Sequence, residues 1–315
     1  MNDIKSLIET GKFSDALRAM RETIAGNASP NALFNLAKWL ERIPSESYKE
    51  NGYLTKKILV LGGYTTQLIA PLLKVVLLRH KIRAEVLEGD YGTFEQAVYA
   101  ADQRLTGFKP DLCYFCVGTE HLGFEDRAVE LQRWRRLWQA AREAFACDII
   151  QNTFEEPLHR ICGGFDLKWH TSRTRYVRQL NLELAADAPG FVHFNDVDGQ
   201  AAHFGRRNWR DEKLFDSSKV PVAFALLPAY ARQVADISAA VFGRSRKCLV
   251  LDLDNTLWGG VIGDDGPAKI QIGLGSAAGE AHARLQAYAR GLKERGIILA
   301  VCSKNDEKTA KEPFL

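Results

Sequence analysis

The sequence lacks the long apolar runs that a membrane-spanning helix requires. No stretch of about 18 consecutive apolar residues occurs in the chain, so we expect no transmembrane segment and no membrane partner. The opening residues, Met-Asn-Asp-Ile-Lys-Ser, are polar and do not have the pattern of a signal peptide. A dense tract of lysine and arginine interleaved with aromatics is also missing, and the formal net charge is only +3. Nothing in the composition therefore indicates binding to nucleic acid.

Cysteine is sparse and does not follow a disulfide framework. The six cysteines are scattered and lie mostly inside apolar runs, which is typical of reduced thiols and predicts a cytoplasmic protein. Cys113 and Cys116 have the spacing of a redox or zinc motif, but they stand within the apolar run 112–117 and have no second pair. We interpret them as buried strand residues.

Between residues 55 and 242 short apolar runs alternate with helical segments. The runs predict five strands, at 57–61, 83–87, 111–117, 148–150 and 191–194. This alternation predicts a flavodoxin-like α/β domain, a parallel sheet with helices on both faces. Residues 1–50 have helical periodicity and form a helical leader, and residues 247–315 begin a second α/β unit with strands at 248–251 and 297–302.

Two aspartates follow the first strand of the second unit directly. Asp252 and Asp254 are separated by one residue, so in an extended chain both carboxylates project from the same face. Two close carboxylates repel each other, and a hard divalent cation such as Mg²⁺ relieves that repulsion. The alternative is a pair of solvated aspartates that cap the next segment.

A second polar cluster follows the strand 297–302. Ser303 begins it, and a hydroxyl and a backbone N–H at a strand-to-helix turn bind phosphoryl oxygens well. Because the carboxyl ends of parallel strands meet at one edge of a sheet, the two clusters predict complementary halves of a phosphoryl-transfer site.

These residues carry a family resemblance. The segment Asp252-Leu-Asp254-Asn-Thr-Leu resembles the DxDxT motif of the haloacid dehalogenase (HAD) superfamily, and Ser303 resembles the serine of its second motif. The longer signature Asp-Leu-Asp-Asn-Thr-Leu-Trp-Gly-Gly-Val-Ile-Gly, with Val-Cys-Ser-Lys-Asn-Asp downstream, resembles the FkbH-like subfamily. That resemblance implies loading of a glyceryl unit from 1,3-bisphosphoglycerate, a phosphorylated three-carbon substrate, onto an acyl carrier protein of polyketide biosynthesis, with removal of phosphate.

The resemblance also implies residue roles. Asp252 would be the nucleophile that forms an aspartyl-phosphate and would contact Mg²⁺, and Asp254 would be the general acid and base and offer its backbone carbonyl to the metal. Ser303 would bind the transferring phosphoryl oxygens. The remaining candidates are Thr256, which holds the turn; Cys302, either a thioester-forming residue or a buried strand residue; Lys304, beside the phosphoryl site; and Trp258, either a wall of the substrate entrance or a core residue.

The superfamily pattern continues with a lysine and further acidic residues that complete the metal site. The chain ends at Leu315, in the helix after the second motif, and Lys304 does not match that lysine. We therefore expect residues 247–315 to be the N-terminal part of a HAD-like domain that retains Mg²⁺ poorly and turns over little on its own. Two other functions stay open: a plain phosphatase without a carrier, and a non-catalytic module that binds a partner.

The first domain resembles the SGNH hydrolase fold, without a clear serine, aspartate and histidine set. A binding role is therefore favoured over hydrolysis, with a pocket at the strand ends lined by Thr65, Thr66, Glu120 and His121. Two basic and aromatic clusters, at 133–138 and 206–210, are either solvated faces with core aromatics or docking surfaces for an acidic carrier protein.

Overall fold

The computed structural model describes residues 2–26 and 28–314. The chain divides between Arg244 and Ser245 into two compact units, called unit 1 and unit 2 below. Among the described residues, no helix is both long enough and apolar enough to cross a membrane.

Unit 1 begins with four helices that precede its sheet: α1 (Asn2–Glu9), α2 (Phe13–Ala25), α3 (Pro30–Leu40) and α4 (Ser45–Glu50). Their apolar residues belong to the same buried cluster as the strand residues Ile58 and Val60, with Leu17 and Leu33 at most 1% exposed. The helical leader therefore shares the core of the α/β domain, since its amphipathic helices bury their apolar faces there.

The sheet of unit 1 consists of five parallel strands: β1 (Leu54–Gly62), β2 (Ile82–Glu88), β3 (Leu112–Cys116), β4 (Asp148–Asn152) and β5 (Val192–Asn195). Their spatial order is β2-β1-β3-β4-β5, which is the flavodoxin-like order with a switch point between β1 and β3. The predicted fold class is confirmed. Cys113 and Cys116 are fully buried in β3, as expected.

The described part of unit 1 has these further α-helices: α5 (Ile69–Leu77), α6 (Phe94–Tyr99), α7 (Gln103–Phe108), α8 (Arg127–Phe145), α9 (Arg173–Asp187), α10 (Val197–Phe204), α11 (Arg206–Trp209), α12 (Glu212–Ser218) and α13 (Leu227–Val241). The sequence predicts one helix over about residues 94–105, but the structure has two in this region, α6 and α7. Ala101 has a φ of 46°, and the Asp102 carboxylate then accepts hydrogen bonds from Arg104 N and Leu105 N. A left-handed residue followed by an N-cap ends one helix and begins the next.

Unit 2 contains two parallel strands and three helices: β6 (Cys248–Leu251), α14 (Ile262–Asp265), α15 (Ala277–Glu294), β7 (Ile298–Val301) and α16 (Glu307–Lys311). These strands are less buried than their continuous apolar sequences indicate. Leu249 and Leu251 are half-buried, whereas Val250 is 59% and Ile298 64% exposed. A two-stranded sheet with apolar cover on one face leaves alternate side chains of each strand exposed.

Candidate functional site

Unit 2 brings the two predicted polar clusters together at one edge of its sheet. Leu251 and Val301 are register partners, and Cys302 N donates a 2.9 Å hydrogen bond to Leu251 O. Asp252 and Ser303 therefore leave adjacent strands near the same carboxyl edge. This is where ligands bind in open α/β sheets.

The carboxylate of Asp254 is held by three donors. Its Oδ1 accepts hydrogen bonds from Trp258 Nε1 and from Ile262 N, both at 3.1 Å, and its Oδ2 accepts one from Asn305 Nδ2 at 2.7 Å. Partial burial raises the pKa of Asp254, but the three hydrogen bonds outweigh it, so the pKa lies below the usual value of an aspartic acid. The three hydrogen bonds thus fix the carboxyl group in one orientation.

The turn after β6 depends on local hydrogen bonds. Asn255 adopts a φ of 53°, which asparagine tolerates well, and its Oδ1 accepts a 3.0 Å hydrogen bond from Gly260 N. Thr256 donates its amide to Leu253 O at 3.1 Å, and its own carbonyl lies 2.8 Å from His282 Nδ1. The position of Thr256 is compatible with its predicted role in holding the turn.

Trp258 is both a core residue and a partner of the site. It is 1% exposed and packs with Leu253, Leu257 and Ile262, while its indole N–H orients Asp254. Between the two alternatives for this residue, the structure favours the core, with an added hydrogen bond that the sequence did not indicate.

Asp252 is exposed, and its Oδ1 accepts a hydrogen bond from the amide of Leu253 at 2.8 Å. No lysine or arginine within the described ranges forms a salt bridge with it, and those ranges contain no cluster of three or more histidine, cysteine or acidic side chains that could hold a metal. The donor set nevertheless fits Mg²⁺, which commonly binds through one or two carboxylates and keeps several waters or substrate oxygens.

The residues after β7 differ in their environments. Ser303 is half-buried, and its Oγ accepts a 3.1 Å hydrogen bond from Asn305 N. Cys302 and Lys304 are exposed, so the alternative of a buried strand position for Cys302 is wrong. Asn305 was missed as a site residue. Its signal was its place two residues after Ser303 in the Ser-Lys-Asn cluster, although the partner of its side chain could not be read from the sequence.

Unit 1 contains a separate cavity at the carboxyl edge of its sheet. It has a volume of about 530 Å³. Its charged lining includes Glu120, after β3, Glu155, after β4, and Arg210. Arg210 donates through Nη1 to Glu120 and through Nη2 to Glu155 Oε1, the latter at 2.5 Å. The hydroxyl of the buried Tyr64 also donates to Glu120.

The two glutamates that share Arg210 have opposite pKa shifts. Burial raises the pKa of Glu155; Arg210 lowers it less than burial raises it, and Glu120 adds to the rise. Burial also acts to raise the pKa of Glu120, but the hydrogen bonds from Arg210 and Tyr64 outweigh it, so the pKa of Glu120 is lowered. The Arg210 guanidinium thus helps to outweigh the effect of burial on the pKa of Glu120, but it offsets only part of that effect for Glu155.

Only Glu120 of the four predicted pocket residues lines this cavity. The hydroxyl of Thr65 donates to Ser218 O at 2.6 Å, and that of Thr66 donates to Glu88, so both are used inside the fold. His121 packs edge-on against Tyr64, and a Cβ at Gly63 would lie only 2.1 Å from its Nε2. The prediction that these three residues line the pocket is therefore wrong, because strand-end polar groups can equally tie loops together.

Glu155 and Glu156 were missed, although two acidic residues directly after an apolar strand were a usable signal. Glu156 Oε1 accepts hydrogen bonds from Arg178, at 2.6 Å, and from Arg206, at 3.5 Å. Arg206 also forms a two-pronged pair with Asp198, at 2.6 and 3.1 Å. The basic cluster 206–210 is thus largely paired within the fold.

The basic cluster on α8 is divided between core and surface. Trp134 and Trp138 are at most 1% exposed, and Arg133 pairs with Glu130 at 2.7 Å. For this cluster the structure favours core aromatics with internally paired cations over a docking surface.

Three comparisons with known proteins bear on this chain. The family model described as FkbH, N-terminal domain, matches residues 57–239. The chain is similar to a crystal structure of the N-terminal part of the protein BF1531 from Bacteroides fragilis, which contains a phosphatase domain complexed with Mg. The two have a TM-score of 0.77 and 29% sequence identity, and the match covers 91% of this chain and 76% of that one. A protein from Parabacteroides merdae described as a GDSL-like lipase has a TM-score of 0.33 at 16% identity over 61% of this chain and 98% of that one, which is too low to support an argument. No curated protein matches the chain.

Proposed function

The chain belongs to the family of FkbH N-terminal domains, and from this premise we propose that it is a Mg²⁺-dependent phosphoryl-transfer enzyme with Asp252 as nucleophile. The observation that carries the proposal is the edge of the unit 2 sheet, where the exposed Asp252 and the half-buried Ser303 follow adjacent strands and Asp254 is held by three donors. The similarity to BF1531, whose phosphatase domain was crystallised with Mg, supports the same chemistry.

The residues divide the reaction between them. A carboxylate oxygen of Asp252 attacks the phosphorus of a phosphate ester, the P–O bond to the substrate breaks, and an aspartyl-phosphate forms. Water then attacks that phosphorus, Asp254 accepts the proton of the water, and inorganic phosphate leaves. The proton held by Asp254 is the one that it donates to the leaving alkoxide in the next turnover. Asp252 and the backbone carbonyl of Asp254 would hold Mg²⁺, which would neutralise charge on the phosphoryl group.

The finer proposal concerns the substrate, 1,3-bisphosphoglycerate, and an acyl carrier protein. The Cys302 thiolate attacks the acyl carbon of the substrate, and the carbon–oxygen bond between that carbon and the acyl phosphate group breaks. Inorganic phosphate leaves, and the glyceryl unit, which still carries its phosphate ester, stays on the cysteine as a thioester. The thiol of the carrier displaces Cys302 in a second acyl exchange. Cys302 is exposed beside Ser303, which is compatible with this role. The remaining phosphate ester is hydrolysed through Asp252.

The test measures phosphate release and carrier mass with the natural protein, 1,3-bisphosphoglycerate and Mg²⁺. We expect Asp252→Asn to abolish hydrolysis of the phosphate ester, and Cys302→Ser to abolish the mass increase of the carrier. Asp264→Asn is the matched control, since Asp264 is an exposed aspartate on α14, and it should leave both readouts unchanged. Normal ester hydrolysis by Asp252→Asn would refute the proposal.

A non-catalytic binding module is the second candidate function. It is favoured by the finding that no cluster of three or more potential metal-ligating side chains occurs in the described part of the chain. Weak retention of Mg²⁺ by this chain stays a prediction on the same ground. Calorimetric titration with Mg²⁺ distinguishes the two: binding that Asp252→Asn removes supports the enzyme, and no binding to the natural protein supports the module.

A further inference from the structure

The cavity of unit 1 contains a buried carboxylate oxygen without a partner. Glu155 is 8% exposed and lines the cavity, and its Oε1 is occupied by Arg210. No hydrogen bond to Oε2 is formed by the residues that the structure describes, and this atom is not fully enclosed. A buried carboxylate oxygen is stabilised by a donor, which a ligand with an N–H or O–H group would provide.

The rest of the cavity suits a slender and mostly neutral ligand. Its apolar walls are formed by Leu122, Phe124, Ala201 and Trp209. Arg210 pairs with both Glu120 and Glu155, which largely neutralises these charged groups of the lining. A strongly charged ligand would compete with these internal pairs, whereas amide and hydroxyl groups add to them.

An exposed apolar segment begins at the wall of this cavity. Residues 158–169, called the apolar loop, follow β4 and contain a short 3₁₀ helix, Gly163–Leu167. Ile161 is 90% and Phe165 60% exposed, and Leu158 is part of the cavity lining. Apolar side chains concentrated in one exposed loop beside a cavity are typical of an interaction site.

The charges on and directly after the apolar loop are mostly positive. Lys168, Arg173 and Arg175 lie on or directly after it, and no salt bridge joins any of them to a carboxylate in the described ranges. The single acidic residue of the segment 158–175 is Asp166, which is 4% exposed and accepts a hydrogen bond from Cys162 N at 3.0 Å. The surface therefore presents apolar groups among cations, which is complementary to a partner with apolar groups among carboxylates.

A second cavity lies beside the first one and is lined in part by the apolar loop. It has a volume of about 470 Å³ and is lined by Ile161 and Trp169 of the loop. It shares Pro157, His159 and Arg173 with the first cavity. A partner seated on the loop would thus lie next to both cavities.

From this arrangement we propose that unit 1 is the carrier-docking module of the protein. An acidic acyl carrier protein docks on the apolar loop, and the uncharged part of its prosthetic arm, which bears amide and hydroxyl groups, enters the 530 Å³ cavity and donates a hydrogen bond to Glu155. This inference rests on the carrier partner of the proposed function. It assigns the docking surface to residues 158–169 instead of the basic clusters at 133–138 and 206–210.

The test uses the full chain and an acyl carrier protein in two forms, apo without the arm and holo with it, in isothermal titration calorimetry. We expect Phe165→Asp to weaken binding of both forms at least about tenfold, because it places a carboxylate opposite an acidic partner. Lys168→Glu should weaken it in the same direction, and the affinity of the natural chain should fall as salt rises. Leu182→Asp, at a 73% exposed position of α9, is the matched control and should bind as the natural chain does.

The role of the cavity is tested by the arm. We expect the holo form to bind more tightly than the apo form, and Glu155→Gln to remove most of that difference, with its folding checked by thermal unfolding. Phe165→Asp and Lys168→Glu change exposed residues, so the docking surface remains testable if Glu155→Gln is unstable. Unchanged binding by both loop variants would overturn the proposal. Asp252-dependent phosphate release is measured separately, so a failure of docking and a failure of the proposed chemistry can be distinguished.

Discussion

Replacement of Arg210 by methionine should destabilise unit 1 strongly at neutral pH. Arg210 is the shared cation of Glu120 and Glu155, and its guanidinium also lies 4.2 Å from the Phe215 ring. Removing one partner of a buried ion pair costs about 3–5 kcal/mol, since it leaves an uncompensated charge. The Glu120 side chain is 38% exposed and can recover some hydration, so we expect the low end, about 3 kcal/mol, at pH 7.

The cost should shrink as the pH falls. The raised pKa of Glu155 means that its ionised form is disfavoured in the folded protein. The stability that Glu155 contributes is therefore complete below the pKa that it has in the unfolded chain. This stability is lost as the pH rises through the pKa of Glu155 in the folded protein. The lowered pKa of Glu120 gives stability above the unfolded pKa, and this is lost as the pH falls. Arg210→Met removes the stability that comes from ionised Glu120. It also makes ionisation of Glu155 in the folded protein more costly. The difference between the two proteins is therefore largest at neutral pH and decreases towards pH 4.

Urea unfolding followed by tryptophan fluorescence provides the assay, because every tryptophan except Trp258 lies in unit 1. Arg210→Met, Glu155→Gln and the double variant form a cycle. In the Arg210→Met background, Glu155→Gln should recover part of the lost stability, because it removes a buried charge. A loss below about 1 kcal/mol at pH 7, or a double variant whose effects simply add, would refute the assignment of Arg210 as the shared counter-ion.

Two further predictions concern unit 2 and the thiols. Asn305→Ala removes the 2.7 Å hydrogen bond to Asp254. We expect about tenfold slower hydrolysis of the phosphate ester in a steady-state assay, because a hydrogen bond to a charged group contributes roughly 1.5–3 kcal/mol. An unchanged rate would show that this contact is not used. The exposed Cys248 and Cys302 should react with an aromatic disulfide reagent in the native protein. Burial raises the pKa of Cys116 to about 11, so Cys116 should react only after denaturation. Modification of Cys116 in the native protein, located by mass spectrometry, would contradict the fold.

The architecture was largely readable from periodicity. Buried parallel strands are continuous apolar runs, and β6 was found with its bounds, Cys248–Leu251, as predicted. The division of the helix at 94–105 was not readable, since it depends on the left-handed conformation of Ala101, a residue that ordinarily favours helices. The exposure of β6 and β7 was also missed, because an apolar run does not reveal whether other parts of the chain cover both faces.

The two candidate sites differ in how far the sequence could predict them. By itself the sequence determined that Asp252 and Ser303 follow apolar strands, and the parallel arrangement of strands brings such residues to one edge of a sheet. Only the tertiary structure decided that Arg210 joins Glu120, 90 residues earlier, to Glu155, 55 residues earlier. With 42 lysines and arginines and 39 acidic residues, charge alone does not choose the partners. Burial chooses them, because ion pairing becomes specific where the fold excludes water and leaves each buried charge few partners within reach.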